Sequence, residues 1–277
     1  MDKQFWQVIA ENEYAIPAGH TLEGLTQTLF GYLNDSDPEL RDDVAYTVYA
    51  NWLKQGRYSR EQVHAHSEAL MSNLELGIGE VESDSVFLRA FSALFLAEIV
   101  HNDNKKPLLE AAQVKAILEK GLWYLEAEQD PRGYVPVKGW AHALAHTADL
   151  MLVLGKNRNM EGADLEQILQ GIAAKLIHST DWVYFHGEDD RLANAVTGIL
   201  QRNLLSLAFV EAWLKSITEP ETSWVGAYVD LGQARAFHNS RNFLRSLSQI
   251  IGTAEPWQET LTTAHLVNDA LDNLKPY

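Results

Sequence analysis

A helix-turn-helix phrase, Asp35-Ser-Asp-Pro-Glu-Leu-Arg-Asp-Asp-Val-Ala45, returns in looser form along this chain. Arg41, Arg89, Arg191 and Arg241 each open an apolar helix, with 48 residues between the first two and 50 between the last two. The missing member falls near Gly139 to His142, where Trp140-Ala-His-Ala-Leu-Ala-His replaces the arginine phrase. A period of this size implies stacked helical pairs, because one pair cannot bury its apolar face alone. The expected fold is all-α: an α-solenoid of about five hairpins in a right-handed stack, forming one domain over residues 1–277.

The helices are delimited by local signals. A short helix covers Lys3 to Asn12. The first pair runs from Thr21 to Asn34 and from Pro38 to Lys54, with Asp37 as N-cap and Pro38 in the first turn. The second starts at the Ser59-Arg-Glu-Gln62 capping box, breaks at Gly77-Ile-Gly79 and resumes from Asp84 to His101. The third comprises Leu108 to Glu128 and Gly139 to Leu154, joined by the long loop Asp130 to Lys138. The fourth takes Asp164 to Ile177 and Glu188 to Leu200, and the fifth Asn203 to Ile217 and Gly232 to Ile251. Trp257 to Leu274 caps the end. Asp35, six residues before Arg41 with Pro38 between, resembles the HEAT-type repeat, in which acid and arginine are expected to form a ladder. Only the first copy matches closely.

Composition narrows the function classes. A net charge of −16 repels phosphate backbones, and no basic stripe offsets it, so nucleic-acid binding is not expected. The absence of cysteine removes disulfides and thiolate nucleophiles. The N-terminus Met-Asp-Lys-Gln-Phe-Trp has no secretory pattern and the apolar runs are short for a membrane span, so the expected location is cytoplasmic, without membrane partners. No Gly-x-Ser-x-Gly elbow is present, and Gly77-Ile-Gly79 lacks the strand and lysine of a phosphate loop.

Two segments could carry chemistry. In the helix expected from Gly139, His146 falls about 40° from His142 and Asp149 about 20° to its other side, so the three share one strip. The remaining positions are nearly all apolar, so the strip must face a groove or bond to neighbouring helices. Two histidines and a carboxylate could ligate a divalent metal of the zinc type, although Ala143 stands where a metalloprotease helix has glutamate. The alternative is structural, the strip filling the slot that arginine takes elsewhere. The second segment is the aromatic loop Asp181 to His186 running into Glu188-Asp189-Asp190-Arg191. If successive pairs stack in register, it neighbours Tyr134 and Trp140, and Asp149 could meet Arg191. Tyr134, Trp140, Trp182, Tyr184 and His186 would then frame a pocket for a small ligand or peptide. The same rings could instead be loop anchors in the core. His20, His64, His66, His101, His178 and His238 receive no role.

Arg132-Gly-Tyr-Val-Pro-Val-Lys-Gly-Trp-Ala-His142-Ala-Leu-Ala-His146-Thr-Ala-Asp149 and Glu188-Asp-Asp-Arg191-Leu-Ala resemble the bacterial proteins grouped as domain of unknown function 2785. The resemblance implies a helical, cytoplasmic bacterial protein and no particular activity. The leading expectation is a noncatalytic binding or scaffold protein without cofactor, holding a protein segment, peptide or small ligand. Its contacts would be Tyr134, Trp140, His142, His146, Asp149, Tyr184, His186, Glu188, Asp189 and Arg191. The runner-up is a metal-dependent, hydrolase-like enzyme with His142, His146 and Asp149 as ligands and Glu188 or Asp189 as general base.

Overall fold

The computed structural model describes residues 1–220 and 224–274. They are predominantly helical, and Cα proximity groups the chain into two compact units, Met1–Leu150 and Met151–Tyr277.

The first unit contains α1 (Lys3–Glu11), α2 (Leu22–Tyr32), α3 (Thr47–Lys54), α4 (Arg60–Asn73), α5 (Ser85–Lys105) and α6 (Ala111–Ala127). Caps act where the sequence places them. Thr21 accepts the Gly24 N–H, and Ser59 and Gln62 form the reciprocal capping box of α4, a feature worth about 1 kcal/mol. Pro38 is followed by a π-helical stretch, Glu39–Tyr46, which continues directly as α3. Asp37 Oδ1 accepts the Glu39 N–H at 3.0 Å, close to its expected capping role.

The core of this unit forms around α5, which is buried nearly all round and packs against α3, α4 and α6. By length and composition α5 could cross a bilayer, but 72% of its apolar window is covered by the rest of the fold, as in a central core helix. Trp6, Tyr49, Trp52, Phe87, Phe91 and Phe95 are fully buried here. His66 is enclosed with them: its Nδ1 lies 3.2 Å from the Tyr49 hydroxyl, and the rings of Phe30 and Tyr58 contact it at 5.3 and 4.9 Å.

Two arginines of the repeat are also fully buried, which is costly unless the charge is paired or hydrogen-bonded; among the described residues only Arg41 Nε is left without a partner on either guanidinium. Arg89 meets Glu128 through two bonds, of 2.6 and 3.1 Å, and donates to the carbonyls of Leu76 and Gly77. Arg41 lies over the rings of Phe87 and Phe91, at 4.0 and 4.8 Å. It bonds the backbone carbonyl of Asp35 at 2.6 Å rather than that residue's carboxylate. The expected Asp35–Arg41 rung is therefore a main-chain contact. The corresponding Arg191 and Arg241 are only half-buried.

α7 (Ala143–Gly155) ends in the second unit, which also holds α8 (Gly162–Ile177), α9 (Glu188–Leu200), α10 (Leu207–Thr218), α11 (Leu231–Thr253) and α12 (Thr260–Asn273). α11 packs on α8, α9 and α12, and α10 on α8 and α12. The end of α7 approaches α9 closely because both present glycine: a Cβ at Gly155 would stand 2.4 Å from Ile199, and one at Gly198 2.8 Å from Leu152.

Candidate functional site

The segment after α6 forms a hairpin instead of joining a helix that starts at Gly139. Strand β1 (Tyr134–Val135) pairs antiparallel with β2 (Gly139–Trp140), with Tyr134 opposite Trp140 and Val135 opposite Gly139. Between them the Lys138 N–H closes on the Val135 carbonyl at 3.1 Å. Pro136 takes the first central position of this turn and Val137 the second, at φ +70°. This is the pattern of a type II turn, which normally uses glycine or asparagine at that position.

The hairpin backbone is held from three sides. Arg41 Nη2 donates to the carbonyls of Lys138 and Trp140, at 2.7 and 3.1 Å. Arg132 forms two bonds to buried Asp130, of 2.7 and 2.6 Å, and a third to the Ser83 carbonyl. Lys138 Nζ pairs with Asp84 at 2.6 Å. Gly139 permits the approach of Arg41's helix, because a Cβ there would lie 2.6 Å from Pro38 Cβ.

His142 is the entry residue of α7 and not a member of it. Its N–H continues the hairpin to the Arg132 carbonyl at 3.1 Å, its φ is +56°, and its carbonyl accepts the first helical bond from His146. The straight strip of His142, His146 and Asp149 expected from an unbroken helix is thus replaced by a bend. The His142 ring stacks on Trp140 at 4.3 Å and lies 5.6 Å from the His146 ring. His146 is buried, with Nδ1 3.1 Å from the Ala90 carbonyl and its ring against Phe91. Asp149, a turn further along, is half-buried. Among the described residues no group of three or more His, Asp or Glu is placed to hold a metal ion.

The aromatic side chains above this base remain accessible. Trp140 is 39% exposed and Tyr134 49%, with the Tyr134 ring edge-on to Trp140 at 5.0 Å. Asp42, which sequence reasoning passed over, stands beside the same anchor, 3.7 Å from Arg41 Nη2. Burial raises its pKa to about 6 against the opposing pull of the Arg41 charge. Its place in a π-helical stretch could not be read from residue types alone.

The second group of expected residues lies in the other unit. Gly187, at φ +85°, turns the chain into α9 and places Glu188 in its first turn. Glu188 is fully buried. Its Oε2 accepts the His186 N–H at 2.8 Å, and no hydrogen-bonding group among the described residues reaches Oε1. Burial raises its pKa, partly offset by the backbone hydrogen bonds it accepts. Tyr184 is buried beside it, and burial pushes the phenol far above its ordinary value. Asn239 of α11, absent from the expected set, ties this loop down: it accepts the Tyr184 N–H at 2.8 Å and donates to the Trp182 carbonyl at 3.0 Å. Asp189 accepts from Ser246, the His186 ring lies tilted against exposed Phe185 at 4.1 Å, and Arg191 is half-buried. By sequence, Tyr134, Trp140, His142, His146 and Asp149 belong to the first unit and Tyr184, His186, Glu188, Asp189 and Arg191 to the second.

The family described as "Protein of unknown function (DUF2785)" matches residues 74–248. The chain belongs to this family. The DUF2785 span contains Arg89, Glu128, the hairpin, α7 and the Glu188 turn, while Arg41 and Asp42 precede it. No curated protein and no solved structure matches the chain.

Proposed function

We propose that this DUF2785 protein is a noncatalytic binding protein of the bacterial cytoplasm. In this reading its helical pairs form a HEAT-like array of about five hairpins, whose concave face holds a peptide, protein segment or small ligand. The observation that carries it is the contrast at the hairpin: its backbone is fixed by Arg41, Arg132 and Lys138 while Tyr134 and Trp140 stay accessible. Aromatic side chains on a preorganised backbone lose little entropy on binding and commonly supply the largest share of interface energy. The test is a peptide array screened with the native chain and with Trp140→Ala. The reading expects peptides bound by the native chain and lost by a variant that melts normally. If the two chains retain the same peptides, or neither binds any, the hairpin is not the contact element.

A metal-dependent enzyme is favoured by one observation, the adjacency of the His142 and His146 rings with Asp149 one turn on. Metal content of untagged protein separates the two readings. Near one metal per chain, lost in His142→Ala/His146→Ala, would replace the binding reading with the enzymatic one. Metal-free protein that takes up none on titration would remove the enzymatic reading.

A further inference from the structure

A groove of about 500 Å³ opens between α4 and α6 of the first unit, lined by Glu68, Met71, Glu75, Glu119, Lys120 and Trp123 among others. None of these residues belongs to the hairpin or to the Glu188 turn. Its apolar lining residues are Met71, Ala116 and Trp123, the last 37% exposed. Lys120 shows how this surface handles a cation. Its ammonium lies 4.6 Å from the centre of the Trp123 ring while bonding the Glu75 carboxylate, so one positive charge already occupies an indole-and-carboxylate seat.

That one ammonium does not balance the groove. Three glutamates line it against a single lysine. Glu68 reaches only His64 Nε2, at 3.7 Å, and Glu119 pairs with no cation among the described residues. The excess negative charge beside an accessible indole complements a lysine or arginine side chain, whose head would meet the carboxylates while its stem covers apolar surface.

We propose that the groove between α4 and α6 docks a basic segment of a partner protein, with its cationic side chains pairing with Glu68 and Glu119 and competing with Lys120 for the Trp123 face. Every lining residue lies in the first unit, so the site needs nothing from the second. The contact is open to solvent, and its affinity falls as salt is raised.

The probe is a fluorescently labelled octapeptide of alternating lysine and alanine, titrated by anisotropy into the full chain at low and at physiological salt. Because a chain of net charge −16 attracts any polycation, the variants must separate local from global charge. Glu68→Lys/Glu119→Lys should weaken binding about tenfold, as expected for two exposed charge pairs lost and reversed. Glu11→Lys/Asp43→Lys makes the same change in net charge outside the groove and should weaken it less than about twofold. Lys120→Ala should tighten binding by clearing the Trp123 face, by more than Lys105→Ala does with the same charge change. Trp140→Ala should have no effect, which keeps this proposal separable from the role of the hairpin. Equal losses from the groove and remote reversals, equal effects of Lys120→Ala and Lys105→Ala, or no binding at millimolar peptide would each overturn it. All the substituted side chains are at least partly accessible, and circular dichroism of each variant is the control for folding.

Discussion

Arg89 and Glu128 meet inside the first unit as a forked pair, Nε to Oε2 at 2.6 Å and Nη2 to Oε1 at 3.1 Å, with both side chains buried. The same carboxylate accepts the Asp130 N–H at 2.9 Å, so the pair also sets where the hairpin segment leaves α6. Removing one partner strands a buried charge, which commonly costs about 3–5 kcal/mol. Glu128→Ala is therefore expected to lower unfolding free energy by that order in urea titrations. Arg89→Met/Glu128→Leu should lose much less, since no unpaired charge remains. If the double variant is as unstable as the single, the pair contributes through Arg89's carbonyl contacts instead.

This pair also marks how far the sequence could be read. Most helix positions and the Ser59 capping box follow from local spacing, and they reappear as elements. The partners of the arginines do not follow, because they are remote: Glu128 is 39 residues from Arg89, and Arg41's carbonyl partner on Lys138 is 97 residues away. The His142 bend was hidden for a related reason. Gly139-Trp-Ala-His-Ala-Leu-Ala has helical composition, but strand pairing with Tyr134–Val135 and the Arg41 contacts override that local preference. His146 was visible as a polar residue among apolar ones and Glu188 as the head of an acidic helix start, whereas Asp42 looked like an ordinary surface acid until burial distinguished it.

Asp42 and His66 should give stability opposite slopes with pH. Asp42 titrates near 6 in the folded chain and near 3.8 when unfolded, so its ionisation opposes folding above about pH 6 and that cost disappears as pH falls toward 4. His66 is pushed below its ordinary 6.5 by burial, so its contribution is complete above that pH and is lost as pH falls beneath it. Asp42→Asn is expected to stabilise at pH 7 and to lose that advantage at pH 4. The gain should stay below about 1 kcal/mol, because the side chain is one-third exposed and screened. His66→Phe should flatten the acid limb of the melting curve. Thermal melts between pH 4 and 8 test both, and unchanged slopes would show that neither group titrates as its burial implies.

Glu188 is expected to tolerate loss of charge better than loss of its hydrogen bond. Its Oε2 holds the His186 N–H while Oε1 is buried without a partner, so the amide of Glu188→Gln can keep the first contact and removes the desolvated charge. Glu188→Gln should be neutral or stabilising at pH 8, where the raised carboxyl pKa makes ionisation most costly. That advantage should shrink on acidification. Glu188→Ala should cost about 1 kcal/mol through the lost bond at the start of α9. A glutamine variant that is strongly destabilised at pH 8 would show that the ionised carboxylate has a partner which glutamine cannot replace.

Two neighbouring hairpin positions should respond in opposite directions. Val137 sits at φ +70° and is 91% exposed, so its β-branched side chain bears left-handed strain with little packing in return. Val137→Gly is expected to raise unfolding free energy by about 1 kcal/mol, the left-handed cost less the added flexibility of the unfolded chain. Gly139 is also left-handed, at φ +77°, but it lies against Pro38, where a Cβ would fall at 2.6 Å. Gly139→Ala should therefore destabilise by about 2 kcal/mol, combining backbone strain with a clash that proline cannot relieve by rotating. It should also loosen the Arg41 contacts to Lys138 and Trp140, which amide exchange in the hairpin would detect. If the hairpin is the contact surface proposed above, its exposed tip belongs to that surface. Val137→Gly should accordingly weaken any ligand of the Tyr134–Trp140 surface while it stabilises the fold, and a variant that gained stability with binding unchanged would separate the tip from that surface.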